Sequence, residues 1–379
     1  TTMMQYIDAS MVGSMGAQAS ASIGLMETTM WLLGSICSAA AAGFYVQVSH
    51  QLGSNDPARA RNTLRQGIMS VLVVSALIGL VSLAVSPFLP VWLGGGSDIT
   101  PTASAYFAIV ATALPIFQFS IFGAGMLRSS GNMVVPSVMS VVMMSLDVVF
   151  NFFLIFPTRP VQLFGAEVTI PGMGMGVVGA AIGTVSAELV AASITMYILC
   201  FRSKELSLRI DTGRFLPTWG VVKRALHISL PMGLQQTIMC SAYVMTTIII
   251  APLGTFAIAA NSFGVIVESL CYMPGYGIAD AATTLVGQSI GAGRHELMKR
   301  FAWLSVGLGV TVMAVMGVVM YVGAPVAMAM MTPAEEVRRL GVEVLRIEAF
   351  AEPMFAAAIV SYGVFVGAAK TLVPSIMNL

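Results

Sequence analysis

Eight carboxylic acids stand inside long apolar stretches of this chain: Asp8, Glu27, Asp147, Glu188, Glu268, Asp280, Glu348 and Glu352. A charged side chain at bilayer depth costs about 2.5–3.5 kcal/mol on insertion scales, so such groups face a protein interior or water and mark ion pathways. Arg346 is the one basic residue that shares these stretches. Acids without basic partners suit cation binding, because a carboxylate in a low dielectric takes up a proton or holds Na⁺. Asp147 and Asn151 are one helical turn apart and share a face, which puts one carboxylate and one amide beside the same ion. Glu268 and Asp280 fall nearly on one face of a helix, and Glu352 follows Glu348 by a turn. Gln235, Gln236 and Tyr243 are polar positions in another apolar stretch, able to line a cavity or to bond neighbouring helices.

The elements that must position these groups are membrane helices. The chain has 379 residues, 57% hydrophobic and 9% charged, where a soluble domain carries about 25% charged residues. It has too little polar surface to face water on all sides. A formal charge of +1 and the lack of a basic stripe with interleaved aromatics argue against a nucleic-acid partner. Cys37, Cys200, Cys240 and Cys271 lie in apolar segments without metal-ligand spacing and read as packing residues. Since a bilayer core needs about 20 apolar residues per helix, the pattern predicts the tail of a first span ending near Val12, then spans at roughly 19–47, 62–91, 102–127, 133–156, 174–201, 221–251, 255–287, 298–323 and 337–367, with another starting at Leu372.

One displacement, 254 − 16 = 238 residues, lines the chain up with itself. Gly16 and Ala19 fall on Gly254 and Ala257; Val48, Gly53 and Arg61 fall on Val286, Gly291 and Lys299; and Gly125 with Val135–Met139 falls on Gly363 with Val373–Met377. This is an internal duplication, and duplicated membrane bundles are typical of transporters that move one half against the other. Basic residues gather in alternate connections (Arg59, Arg61 and Arg65; Arg128; Arg202 to Arg224; Arg294, Lys299 and Arg300; Lys370), which predicts those connections to be cytoplasmic. Both halves then enter from the cytoplasm, as in a parallel repeat about an axis along the membrane normal. The expected fold is an all-α integral membrane protein of two pseudo-symmetric six-helix bundles: roughly 1–201 as N-lobe, 202–220 as a cytoplasmic linker and 221–379 as C-lobe. Pro231 would have its repeat partner before Thr1, and 133–201 would have theirs beyond Leu379. The start of helix one and most of helices eleven and twelve are therefore expected to lie outside this chain.

The chain resembles the multidrug and toxic compound extrusion transporters. The residues that carry the resemblance are Asp8–Gly13 with Gly16 and Ala19, Val48–Gly53, Asn151–Phe156, Gly176–Thr184, Leu230–Gly233, Ala251–Gly254 and Val286–Ala292. The resemblance implies no enzyme but a multi-pass transporter of the inner (plasma) membrane, a monomer among membrane lipids. It would export organic cations or drugs in exchange for Na⁺ or H⁺, with no other cofactor. Asp8 matches the family's helix-one aspartate, so that Asp8, Asp147 and Asn151 become the coupling site. Glu268, Asp280, Glu352, Gln235, Gln236 and Tyr243 are secondary candidates. Departures stand beside the matches. One branch carries a glutamate midway along the seventh span where Met239 stands here, and another places its fifth-span aspartate where Asn151 stands. The alternative reading is a lipid-linked oligosaccharide flippase of related fold. Such a protein is expected to hold a pyrophosphate on cationic residues, whereas the buried ionisable groups here are acidic.

Overall fold

A computed structural model describes residue 11 and residues 17–163, 166–250, 252, 255–331 and 334–377. Asp8 lies outside the described residues, and so does the side chain of Tyr243. Twelve helices and one hairpin make up the described chain. They are α1 (Ala17–Gly53), α2 (Pro57–Val85), the short α3 (Leu89–Trp92), α4 (Thr100–Ser129), α5 (Val134–Ile155), β1 (Pro157–Leu163), β2 (Ala166–Met173), α6 (Gly176–Tyr197), α7 (Trp219–Ile250), α8 (Thr255–Gly291), α9 (His295–Met331), α10 (Glu335–Glu348), α11 (Glu352–Gly367) and α12 (Leu372–Met377). Helix α6 continues into a π-helical turn, Ile198–Arg202. Six of these helices, the fifth of them running on through that turn, are long and apolar enough to cross a membrane. The pair α10–α11, bent by 57°, makes a seventh if it counts as one span. This is a multi-pass membrane protein.

Helix limits follow local chemistry more closely than hydropathy. The span expected at roughly 62–91 is found at Pro57–Val85. Pro57 sits at its first position, where the missing N–H costs nothing, and Pro87 forbids helix in the residue before it. The connection between α5 and α6 is not a plain loop but a two-stranded antiparallel hairpin, with Val161 opposite Val168 and Gln162 opposite Glu167. The span expected at roughly 337–367 is broken at Ala349–Ala351, because Pro353 sits in the first turn of α11 and cannot donate to the preceding turn.

Small residues are frequent in the interior, beside larger ones such as Phe107 and Phe122, and many large apolar side chains face outward. Ala39, Ala41 and Ala42 of α1 are buried, while Leu77, Leu80 and Val81 of α2 and Trp303 and Leu304 of α9 are exposed. In a bilayer, large side chains gain little by turning inward, and close backbone approach is what holds helices together. All four cysteines are buried and free.

Contacts divide the chain into two compact units. Unit 1 comprises 1–48 and 57–226; unit 2 comprises 49–56 and 227–379. In unit 1, α4 and α5 pack on α6, and α2 packs on α4. Gln118 of α4 donates to the Cys37 carbonyl of α1 at 3.1 Å. Residues 203–218 are strapped to α2 by side chains that are themselves nearly buried. Arg61 makes a 2.6 Å ion pair with Asp211, and Arg65 donates to the carbonyls of Leu208 and Asp211. Gln66 accepts from both the backbone and the hydroxyl of Thr218 at 2.9 Å.

In unit 2, α8 is central, with α9, α10 and α11 around it. Its contacts to the segment Ser49–Asp56 carry the internal repeat into three dimensions. A Cβ on Gly53 would overlap the Gln288 carbonyl, and a Cβ on Gly291 would overlap that of His50. The 238-residue displacement exchanges these two contacts (50 + 238 = 288; 53 + 238 = 291). His50 Nε2 also lies 2.7 Å from the Gly367 carbonyl, and Ser49 donates to the Thr284 carbonyl at 3.1 Å.

Candidate functional site

Helices α5 and α6 meet closely because α6 offers glycines. A Cβ on Gly179 would sit 2.5 Å from the Leu154 carbonyl, and one on Gly183 would overlap Asn151 Oδ1. The spacing of four residues puts both glycines on one face of α6, so a groove runs along it. Asp147 and Asn151 are both fully buried. Asn151 Nδ2 donates to Asp147 Oδ2 at 3.2 Å, along the same helix. The amide thus faces the carboxylate, and Gly183 leaves the space in which it sits.

Glu188, one turn beyond Thr184 on α6, is also buried. It accepts a hydrogen bond from Ser120 of α4, and it lies close enough to Asp147 for their charges to interact. Three helices therefore converge on two acids, one amide and one hydroxyl. Residue spacing could not join Glu188 to Asp147, because they lie on different helices.

A second group of acids occupies unit 2. Glu268 of α8, Glu348 at the end of α10 and Glu352 at the start of α11 lie within electrostatic range of one another. Glu352 is fully buried, and neither of its carboxylate oxygens has a hydrogen-bond partner among the described residues. Arg346, exposed on α10, lies over the Tyr321 ring at 5.3 Å. Asp280 is half-buried on α8, beside Ala279, whose carbonyl lies 2.6 Å from where a Cβ on Gly363 would be. The acids facing Glu268 are thus Glu348 and Glu352. Gln235 of α7 accepts from the Ser375 hydroxyl of α12 at 3.0 Å, an interhelical bond. Gln236 is half-buried, and Met239 is at the edge of exposure. Among the described residues, no group of three or more His, Cys, Asp or Glu side chains could hold a metal ion.

A multi-pass membrane protein of long apolar helices with carboxylic acids buried among them is the class this architecture defines. The MatE family model matches residues 1–153 and 231–379. The chain belongs to the MatE family. Among its relatives, the "Probable multidrug resistance protein NorM" of Thermotoga maritima is 27% identical over 293 residues, 76% of this chain and 59% of the relative. The protein of the same name from Xanthomonas axonopodis pv. citri is 25% identical over 311 residues, 80% of this chain and 64% of the relative. The matched part of the chain thus spans about three-fifths of these relatives' length. A solved MATE in complex with MaD3S has the same fold, with a TM-score of 0.88 at 19% identity, covering 100% of this chain and 81% of that one.

Proposed function

We propose that the complete protein is a secondary active antiporter that exports organic cations or drugs in exchange for Na⁺ or H⁺ by alternating access. The observation that carries the reading is the Asp147–Asn151 pair, fully buried at a glycine-lined helix contact in a multi-pass protein of this family. The names of the NorM relatives support export of drugs, and the acidic character of the buried groups supports cationic cargo.

In this reading, Na⁺ or H⁺ enters from outside and is held by Asp147 and Asn151 together with Asp8. Its arrival neutralises carboxylate charge, changes how α5 and α6 pack, and releases the cargo. When the ion leaves inward, the restored charge favours a new organic cation. One charge moving through 100 mV yields about 2.3 kcal/mol, and one pH unit adds about 1.4 kcal/mol. Together they support a cargo gradient of a few hundredfold. The protein works as a monomer in the inner membrane. Its basic connections, including the linker at roughly 202–220 between the lobes 1–201 and 221–379, lie on the cytoplasmic side. Glu268, Asp280, Glu352, Gln235, Gln236 and Tyr243 serve cargo or coupling in the second lobe.

The test is efflux of a fluorescent organic cation from vesicles containing the full-length protein, with imposed Na⁺ or pH gradients. Efflux is expected to follow one of the gradients, and Asp8→Asn to remove that dependence. Efflux indifferent to both gradients in the unaltered protein contradicts antiport.

A further inference from the structure

The stretch that joins α6 to α7 holds 6 of the chain's 18 lysines and arginines. Across residues 202–224 stand Arg202, Lys204, Arg209, Arg214, Lys223 and Arg224, against Glu205 and Asp211 as the only acids of the stretch. All six cations are exposed, and among the described residues none of them makes an ion pair. Asp211 is spent inward, on Arg61 of α2. The outward side keeps Glu205 as its one acid. A surface of that kind is complementary to anions.

The stretch is also tied down, entirely within unit 1. Leu206 and Ser207 are buried, and the Leu208 N–H donates to the Cys200 carbonyl at 2.8 Å. Besides its ion pair, Arg61 donates to the Glu205 carbonyl at 2.9 Å. Gln47 of α1 donates to the Val221 carbonyl at 3.1 Å, fixing the first turn of α7. These anchors belong to the final turns of α1 and α6 and the opening turns of α2. A chain fastened where apolar spans stop lies at the depth of lipid headgroups. Its exposed apolar side chains, Ile210, Phe215, Leu216 and Trp219, alternate with the cations, and the Arg209 guanidinium lies 5.0 Å from the centre of the Phe201 ring. Aromatic rings and long basic side chains share the boundary between water and lipid, where ring and charge both find partners.

We propose that residues 202–224 form a docking surface for anionic phospholipid headgroups, on the side of the membrane where α6 ends and α7 begins. The cations gather lipid phosphates, and Phe215, Leu216 and Trp219 enter the boundary between headgroups and acyl chains. The Arg61–Asp211 tie fixes the depth at which they do so. Apolar side chains interleaved with the cations, beside the ends of membrane spans, favour a lipid surface over any dissolved polyanion. A basic side chain near an anionic leaflet contributes about fivefold in affinity. The inference stands apart from the antiport reading and is tested without transport.

All four native cysteines are buried and Thr212 is exposed, so a polarity-sensitive thiol dye at Thr212→Cys reports on this stretch. The labelled full-length protein is placed in phosphatidylcholine vesicles with and without phosphatidylglycerol. The emission is expected to shift to the blue only where phosphatidylglycerol is present, and to return at high salt, which screens exposed charges. In detergent micelles doped with phosphatidylglycerol, the midpoint of the shift should rise about fivefold for Arg209→Gln or Arg214→Gln alone and about twenty-five-fold for both. Both are substitutions of exposed side chains, so folding is retained, and an unchanged melting temperature verifies it. Inorganic phosphate in place of the lipid should give no shift. A shift equal in the two kinds of vesicle, or unmoved by the paired substitution, overturns the proposal. So does a shift with inorganic phosphate alone, which would make the occupant a free anion. Each of these results leaves gradient-driven efflux, on which the antiport reading rests, untouched.

Discussion

The two units each bury carboxylic acids at a place where a glycine makes room, but they treat those acids in opposite ways. In unit 1, Gly183 admits Asn151, and the amide faces Asp147 at 3.2 Å, with Ser120 and Glu188 joining from two other helices. In unit 2, Gly317 admits a break in the chain, and Glu352 is left at that break with no hydrogen bond among the described residues. The acids are not repeat-related: counterparts of Asp147 and Glu188 would lie at 385 and 426, beyond Leu379, while Glu352 corresponds to Leu114 (352 − 238 = 114). A duplicated scaffold has thus taken on two unlike sites. An amide beside a carboxylate can share an ion that needs several oxygens, whereas Glu352 has only other acids, Glu268 and Glu348, within electrostatic range.

Substitutions of the two glycines separate the cases. The larger effect is expected for Gly183→Ala. The new methyl overlaps Asn151 Oδ1, and α5 also lies against α6 at Gly179, so neither helix can retreat cheaply. A cost of about 1–3 kcal/mol follows from overpacking, read as a lower melting temperature in detergent, together with loss of gradient dependence. If melting and coupling both stay unchanged, the α5–α6 groove does not hold the site. Gly317→Ala should cost less, about 1 kcal/mol, because its neighbour at 2.6 Å is a carbonyl in an already interrupted segment that can shift. The expected signature is a smaller drop in melting temperature with the Asp147-dependent coupling intact. Loss of that coupling instead would mean that the two units' acids act as a single site.

Much of this organisation was legible in the sequence, for identifiable reasons. The Asp147–Asn151 pair could be read because both residues sit one turn apart on one helix, where spacing fixes geometry. The repeat could be read because the glycines at close helix contacts recur: Gly53 and Gly291 now prove to be partners in exchanged contacts. Glu188 was only one of several buried acids, since nothing in a single sequence tells which face of α6 meets α5. The break at Glu352 was read through as one span. Pro353 signals it, but the glycine that accommodates it lies on another helix. The hairpin 157–173 carries no clear strand signal, because its prolines and glycines break up the alternation by which strands are recognised. Gln235, read as lining a cavity or bonding a helix, bonds α12 through Ser375.

The account's central claim is that the buried carboxylate of Asp147 carries the coupling. The measurement that meets it most directly is efflux of a fluorescent organic cation from vesicles under an imposed Na⁺ or pH gradient, compared between the unaltered full-length protein and Asp147→Asn. The substitution keeps size and hydrogen bonding to Asn151 while removing the charge. The account predicts that accumulation against a gradient falls from a few hundredfold to about onefold while the variant remains folded. Accumulation undiminished in Asp147→Asn would contradict it.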